Sequence, residues 1–469
     1  MKTLIALFLI ALACFALSPA VRAVSPPPTG GYPNQNTAAG EDALFNLTTG
    51  TVNTAVGFQA LFNLTQGTGN TAVGYLALSG QTEGIFNTAI GLQALMNSEL
   101  SGSNTAIGAF ALLNNTVGNC NTAIGDSALS NNGGGGFNTA TGYFALSVNT
   151  EGDNNTATGM EALQNNTTGS FNTAHGFRAL YNNVTGADNT ATGVRALGGA
   201  GLNNTGSFNT AIGVDALSKN TIGQRNTANG VQALFNNTTG SKNSATGIGS
   251  LFYNTAGHDN TAVGIAALQN NTTGSFNLAV GSNAGANLTT GNDNIDIGAV
   301  GAAGESNTMR IGTVKQTVTY IAGISGASVP GGVGVIIDSS GHLGTVVSSE
   351  RFKDEIKSMN AASEVLFALK PVTFRYKKEI DAERIPQFGL VAEDVEKVSP
   401  DLVIHDAAGK VYTVRYEAVN AMLLNEFLKE HRKVEQMKKQ IDALTAGLER
   451  VNAQLELNKS APQTVLNNR

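Results

Sequence analysis

Asn155-Thr156-Ala157-Thr158-Gly159-Met160-Glu161-Ala162-Leu163-Gln164-Asn165-Asn166-Thr167-Thr168-Gly169-Ser170 is one copy of the phrase that decides how this chain folds. Its skeleton, Asn-Thr-Ala-x-Gly-x-x-Ala-Leu, starts at Asn36, Asn53, Asn70, Asn87, Asn104, Asn121, Asn138, Asn155, Asn172 and Asn189. It resumes at Asn209 and runs through Asn226, Asn243, Asn260, Asn277 and Asn294. Every step is 17 residues except the 20 from Asn189 to Asn209. A spacing this regular predicts a solenoid or stacked array.

Within the copy, Met160 and Leu163 are the only large apolar side chains. One unit therefore has no core of its own. Stacked units acquire one by aligning Leu95, Leu112 and Leu129, with small Ala side chains between them. Asn165, Asn166 and Gly169 read as turn residues, because Asn and Gly tolerate left-handed dihedrals. Helical repeats fit poorly, since they need about 33 to 47 residues per unit. Two short strands of about four or five residues joined by two turns fit seventeen residues, pairing with the coils above and below. Asn in register then forms ladders of side-chain amides. Collagen is excluded, because the 56 glycines never fall at every third position. The expected fold is mainly β: a β-solenoid or β-roll, then a small α+β domain and a C-terminal trimeric coiled coil.

Met1 to Ala23 reads as a signal peptide, with Lys2, an apolar run from Leu4 to Leu17 and Val21-Arg22-Ala23 as the cleavage site. Cys14 offers an alternative lipoprotein reading. Either implies a secreted, cell-surface or outer-membrane-associated bacterial protein. Cleavage at Ala23 leaves Cys120 as the one cysteine, so no disulfide framework forms within a chain. Residues 24–35 are a Pro/Gly linker, 36–306 the repeats and 307–347 a β-rich transition. The three extra residues around Gly198 to Leu202 should bulge outward without breaking the stack. His175 has no second ligand beside it and reads as a tolerated substitution rather than a metal site; no cofactor is expected.

In the transition, Val314 to Ile321 and Leu343 to Val347 have β character, with a turn at Asp338-Ser339-Ser340-Gly341. At Ser348 charges and aromatics take over. Ile356 to Leu369 has helical periodicity, Val372 to Tyr376 and Phe388 to Val391 read as strands, Glu393 to Val398 as a helix and Val411 to Val414 as a strand. From Tyr416 a long helix carries Leu423, Phe427, Val434, Met437, Ile441, Leu444, Leu448, Val451 and Leu455 on heptad positions, interrupted by Glu430. The assigned segments are 348–416 for the domain, 417–458 for the coiled coil and 459–469 for a disordered tail.

Ser348-Ser349-Glu350-Arg351-Phe352-Lys353-Asp354-Glu355-Ile356 resembles the start of the peptidase S74 family, the intramolecular chaperone at the ends of phage tailspikes, tail fibres and bacterial surface proteins. The likeness continues through Pro371-Val372-Thr373-Phe374-Arg375-Tyr376, Phe388-Gly389-Leu390-Val391-Ala392-Glu393-Asp394-Val395, Pro400-Asp401-Leu402-Val403 and Val414-Arg415-Tyr416. The resemblance implies a domain that trimerises, guides a β-rich fibre into register and then cuts itself off with a Ser-Lys dyad. The family's catalytic serine falls on Ser348 and its lysine on Lys353, with cleavage at the Ser348-Ser349 bond. A serine hydroxyl needs a base, and lysine serves only where its surroundings favour the neutral amine. Ser349 departs from the family pattern, which carries Asp there, so a retained clamp that never cuts is the alternative. The repeats resemble, less closely, the head repeats of trimeric autotransporter adhesins.

Together these readings imply a homotrimeric secreted fibre or adhesin-like protein, with three Leu stacks near a common axis. A second reading makes the repeat a flat face for ice or a polysaccharide, on the condition that Thr37, Thr54 and Thr71 project outward in register. Enzymatic action on an external substrate lacks a recurring carboxylate pair. A formal charge of −6, with basic residues interspersed among acids, argues against nucleic acid.

Overall fold

A computed structural model describes residues 33–199, 203–322, 324, 329–338, 340–406 and 408–459. The signal and lipoprotein readings at 1–23, most of the linker, part of the three-residue excess and nearly all of the tail lie outside the described residues. The chain divides into two compact units at Tyr320/Ile321.

The first unit is a β-solenoid. Strands β1 (Thr37–Ala39) to β17 (Met309–Ile311) form one 17-stranded sheet, one strand per coil. Pairing is parallel and puts equivalent residues opposite each other: Thr156 meets Thr173, Ala157 meets Ala174, and Thr158 meets His175. The irregular coil keeps this register, with Thr190 opposite Thr210.

Each coil holds a single strand of three residues, not the two longer strands expected. Backbone geometry supplies the reason. Glu161, Leu163 and Phe171 take φ of 58°, 52° and 59°, and Gly159 takes 131°. These residues bend the chain too often for a second strand. Beyond the strand, coils are joined by spaced bonds such as Leu163 N–H to Ala179 O (2.9 Å) and Asn165 N–H to Tyr181 O (3.1 Å). The expected left-handed residues are also corrected, because Asn165, Asn166 and Gly169 do not have positive φ. A left-handed Leu costs about 1–2 kcal/mol. Its burial returns about 1.5–3 kcal/mol, so the coil tolerates the strain only because it turns the Leu inward.

Leu95, Leu112 and Leu129 are fully buried, as are the two flanking Ala columns represented by Ala89 and Ala94. The Leu column is thus enclosed by its own coil and offers no surface for contact between chains. Asn forms two buried ladders. In the first, Asn172 N–H donates to Asn155 Oδ1 (3.0 Å) while Asn172 Nδ2 reaches Gly186 O (2.9 Å). In the second, Asn166 Nδ2 donates to Asn149 Oδ1 (2.8 Å) and to Gly169 O (2.9 Å). The amides satisfy backbone groups that the short strands leave unpaired. Gly169 is required by close approach, since a Cβ there would lie 2.4 Å from Gly186 O.

In the second unit, Val335–Ile337 pairs antiparallel with Leu343–Thr345. Val314 to Ile321, expected as β, forms no strand; its side chains are exposed and it pairs with no strand among the described residues. Ile356 to Leu369, expected as a helix, is a 3₁₀ helix over Asn360–Ala368. Two antiparallel pairs follow, Val372–Phe374 with Gln387–Gly389 and Val403–His405 with Val411–Val414. Helix α1 spans Ala392–Val398 and helix α2 Tyr416–Lys459. Val395, Leu402, Val403, Val414 and Val419 form a small buried core.

Candidate functional site

Ser348 and Lys353 lie five residues apart, about 17 Å in an extended chain. A tight turn closes that gap. Ser349 is extended (φ −65°, ψ 142°), Glu350–Phe352 make one 3₁₀ turn, and Lys353 is extended again. Phe352 N–H bonds to Ser349 O and Lys353 N–H to Glu350 O, both at 3.0 Å. The turn folds Lys353 back so that Nζ donates to Ser348 Oγ at 3.1 Å. The structure therefore brings the two residues together within a single chain.

Both residues are exposed. Among the described residues no carboxylate pairs with Lys353. Arg351 turns to its own neighbour, its guanidinium 4.5 Å from the Phe352 ring centroid. A lysine takes a proton only as the neutral amine, which desolvation favours. The isolated chain supplies the geometry of a nucleophile–base pair without its enclosure.

Farther along the second unit, a polar cluster joins the 3₁₀ helix to α2. Ser363 Oγ donates to buried Glu426, whose Oε1 also accepts from Lys429 Nζ at 2.6 Å. Asn425 Nδ2 reaches Ser363 Oγ at 2.6 Å and Asn360 O at 3.1 Å. Lys429 and then Ser363 hold the Glu426 carboxyl below the ordinary glutamate range. The heptad pattern gives no sign of this cluster, because Glu426 reads there as an outer-face residue. An apolar cavity of about 470 Å³ lies beside it, lined by Leu366, Leu369, Phe388, Leu390, Val419 and Leu423. Tyr416 marks its edge, its hydroxyl accepting from Leu390 N–H at 3.1 Å. Among the described residues no group of three or more His, Cys, Asp or Glu could hold a metal ion.

Residues 348–404 match the family model of peptidase S74, described as the chaperone of endosialidase. The match begins at Ser348, includes Lys353, and covers the turn, the 3₁₀ helix, α1 and the strands up to Ile404. It thereby shows the family resemblance of this segment. No curated protein and no solved structure matches the chain.

Proposed function

We propose that this chain is the subunit of a secreted or cell-surface homotrimeric fibre, assembled by its C-terminal chaperone segment and then cut between Ser348 and Ser349. A β-solenoid followed by an S74 chaperone segment is the arrangement of a tailspike- or fibre-like protein. The observation that carries the assembly is the bare seam of α2. Leu423, Phe427, Val434, Met437, Ile441, Leu444, Leu448, Val451 and Leu455 are all more than half exposed. Apolar residues at heptad spacing over so long a helix find their complement in like helices.

For the cut, Ser348 is the nucleophile and Lys353 its base, and their 3.1 Å contact supports the pairing. Closing a trimer around the turn would desolvate Lys353 and favour its neutral form. Cutting would then follow correct assembly. The test is the mass of the mature full-length protein over time, beside Ser348→Ala and Lys353→Gln. The expected result is a product ending at Ser348 from the unsubstituted chain alone. Intact trimers from all three would leave the dyad inert and the domain a permanent clamp; monomers throughout would overturn the fibre.

One observation favours a second reading, in which the clamp is retained and the solenoid binds ice or a polysaccharide. Thr37, Thr54 and Thr71 stack in register, Thr37 exposed and the other two half-buried, and farther along Thr139 and Thr156 are exposed with half-buried Thr141 and Thr158 two residues on. Thermal hysteresis, or depletion by an insoluble glycan that the Thr156→Leu/Thr158→Leu variant loses, would support it.

A further inference from the structure

Coil positions are counted from the leading Asn, so that the strand occupies positions 2 to 4 and the first Gly position 5. The ladder runs on past the strand: Gly159 N–H meets Thr141 O and Glu161 N–H meets Tyr143 O, both at 2.8 Å. The Ala at position 3 is buried, whereas in most coils the side chains at positions 4 and 6 lie at least partly exposed. The glycine between them adds no side chain, so the two columns form one continuous outer strip.

That strip is apolar. Eight large apolar side chains at position 4, such as Ile107 and Ile124, and ten at position 6, such as Tyr143 and Ile248, are each between 36 and 56 % exposed. Together they present on the order of 1,000 Å² per chain, against roughly 800 Å² a side for a stable protein interface. A lone soluble protein seldom leaves more than about 300–600 Å² of apolar patch bare. Charge is depleted as well. Across positions 2, 4 and 6 of every coil only Glu41 and Asp126 are ionised side chains, whereas positions 7 and 17 collect Glu161, Arg178, Arg195, Asp215, Arg225 and Lys242. Such depletion marks the buried centre of an interface.

We propose that this strip, rather than the Leu column, is the surface along which copies of this chain pack in the fibre. The inference rests on the homo-oligomeric reading above and adds where the contact lies. A second copy fits because it offers the same coil repeat, about 4.8 Å per rung, and an equally uncharged strip. Only the middle coils carry Thr at position 4, so an external polar ligand would meet apolar side chains over most of the length.

The test uses the full-length chain in a Cys120→Ser background, with single reporters Ile107→Cys and Ile248→Cys on the strip and Lys242→Cys off it. All three side chains face out of the coil, and circular dichroism checks that each variant keeps its fold. A short bis-maleimide should link chains at Ile107→Cys and Ile248→Cys at least tenfold more than at Lys242→Cys, and single maleimide labelling should be at least tenfold slower on the strip. An oligomer by light scattering whose strip reporters label as fast as Lys242→Cys would overturn the inference while leaving the fibre, with copies joined only beyond the repeats. Protection that appears only on adding ice or glycan would also overturn it. A monomer would overturn both the inference and the assembly beneath it.

Discussion

Replacing Asn155 with Ala removes one rung from a buried amide ladder. Three hydrogen bonds go: Asn155 Nδ2 to Gly169 O (2.9 Å), and those that Asn155 Oδ1 accepts from Asn172 N–H (3.0 Å) and Asn172 Nδ2 (3.1 Å). Two of the abandoned groups keep another partner. Gly169 O still accepts from Asn166 Nδ2, and Asn172 Nδ2 still donates to Gly186 O. The backbone N–H of fully buried Asn172 is left with none. The orphaned buried donor costs about 1–3 kcal/mol and each of the other two lost bonds about 1 kcal/mol, a total of at least about 3 kcal/mol. At about 1.4 kcal/mol per decade, local opening should rise on the order of 100-fold. The same coil carries its own control. Asn165 Nδ2 bonds to Asn182 Oδ1 at 3.0 Å on the partly exposed outer ladder. Asn182 is itself buried but no backbone N–H is orphaned there, so Asn165→Ala should cost about one net bond, near 1 kcal/mol, well below Asn155→Ala. Hydrogen exchange across residues 150–190 is the assay, because solenoids open coil by coil. Equal exchange in the two variants would refute the claim that the buried amides hold the coils together.

Other consequences are as specific. Gly159→Ala places a Cβ at φ 131° and 2.6 Å from Gly176 O; it should destabilise by more than about 1 kcal/mol, whereas Gly134→Ala, with its nearest neighbour at 3.7 Å, should unfold at nearly the parental denaturant concentration. Asp296 replaces Ala in the inner column, where neither carboxylate oxygen has a hydrogen-bond partner and burial, then Glu305, pushes its carboxyl up to about 6. Because its pKa is raised on folding, the stability it lends the last coils is complete below the unfolded value of about 3.9 and is lost as pH rises through about 6. Exchange over residues 294–311, corrected for intrinsic rates, should therefore be slower at pH 5 than at pH 7.5, and Asp296→Asn should abolish that difference. Glu426 shifts the other way, so its clasp on the 3₁₀ helix holds above the ordinary glutamate range and fails as pH falls through its lowered value; Glu426→Gln should expose Asn360–Ala368 to protease at neutral pH.

The solenoid was legible because repetition turns weak local signals into strong ones. A lone Leu163 says little, but the same Leu in coil after coil can only be a stack, and stacked Asn can only be a ladder. The path within each coil was hidden, because intrinsic preference places left-handed dihedrals on Asn and Gly. In the fold they fall largely on Glu161, Leu163 and Phe171, where stacking outweighs intrinsic preference. At the dyad, spacing alone left Ser348 and Lys353 apart; the 3₁₀ turn that joins them depends on local backbone bonds that residue types do not announce. The clasp at Ser363 and Glu426 was invisible for a related reason, its partners being 63 residues apart. The expected strand at Val314 to Ile321 failed differently, since its β-prone residues pair with no other strand among the described residues, and residue types alone do not announce pairing.

That last failure bears on how the molecule works. Val314, Val318, Tyr320, Ile321, Val335 and Ile337 are large, β-prone and mostly bare, and so is the α2 seam. The solenoid, by contrast, completes its own core within one chain. The repeats thus complete their core without a partner, whereas the segment from Val314 to Ile337 and the α2 seam, like the outer strip of the repeats, leave apolar surface that association would cover. In the proposed fibre the unfinished segment ends where the Ser348–Lys353 turn begins. Association that covers Val335, Ile337 and Val347 must therefore reorganise the surroundings of Ser348. In that proposal the Ser348–Lys353 turn is exposed before assembly, and the same step that finishes the fold would enclose it. A cut at Ser348 would then release residues 349–469 with the α2 seam, leaving the repeats and the transition in the fibre. This order requires the strip along positions 4 and 6 to hold the copies together once the coiled coil has gone. An Ile107→Glu/Ile248→Glu variant should accordingly trimerise and cut like the parent, then fall apart into monomers by light scattering as the product appears; a cut product that stays trimeric would place the lasting contacts in the transition instead.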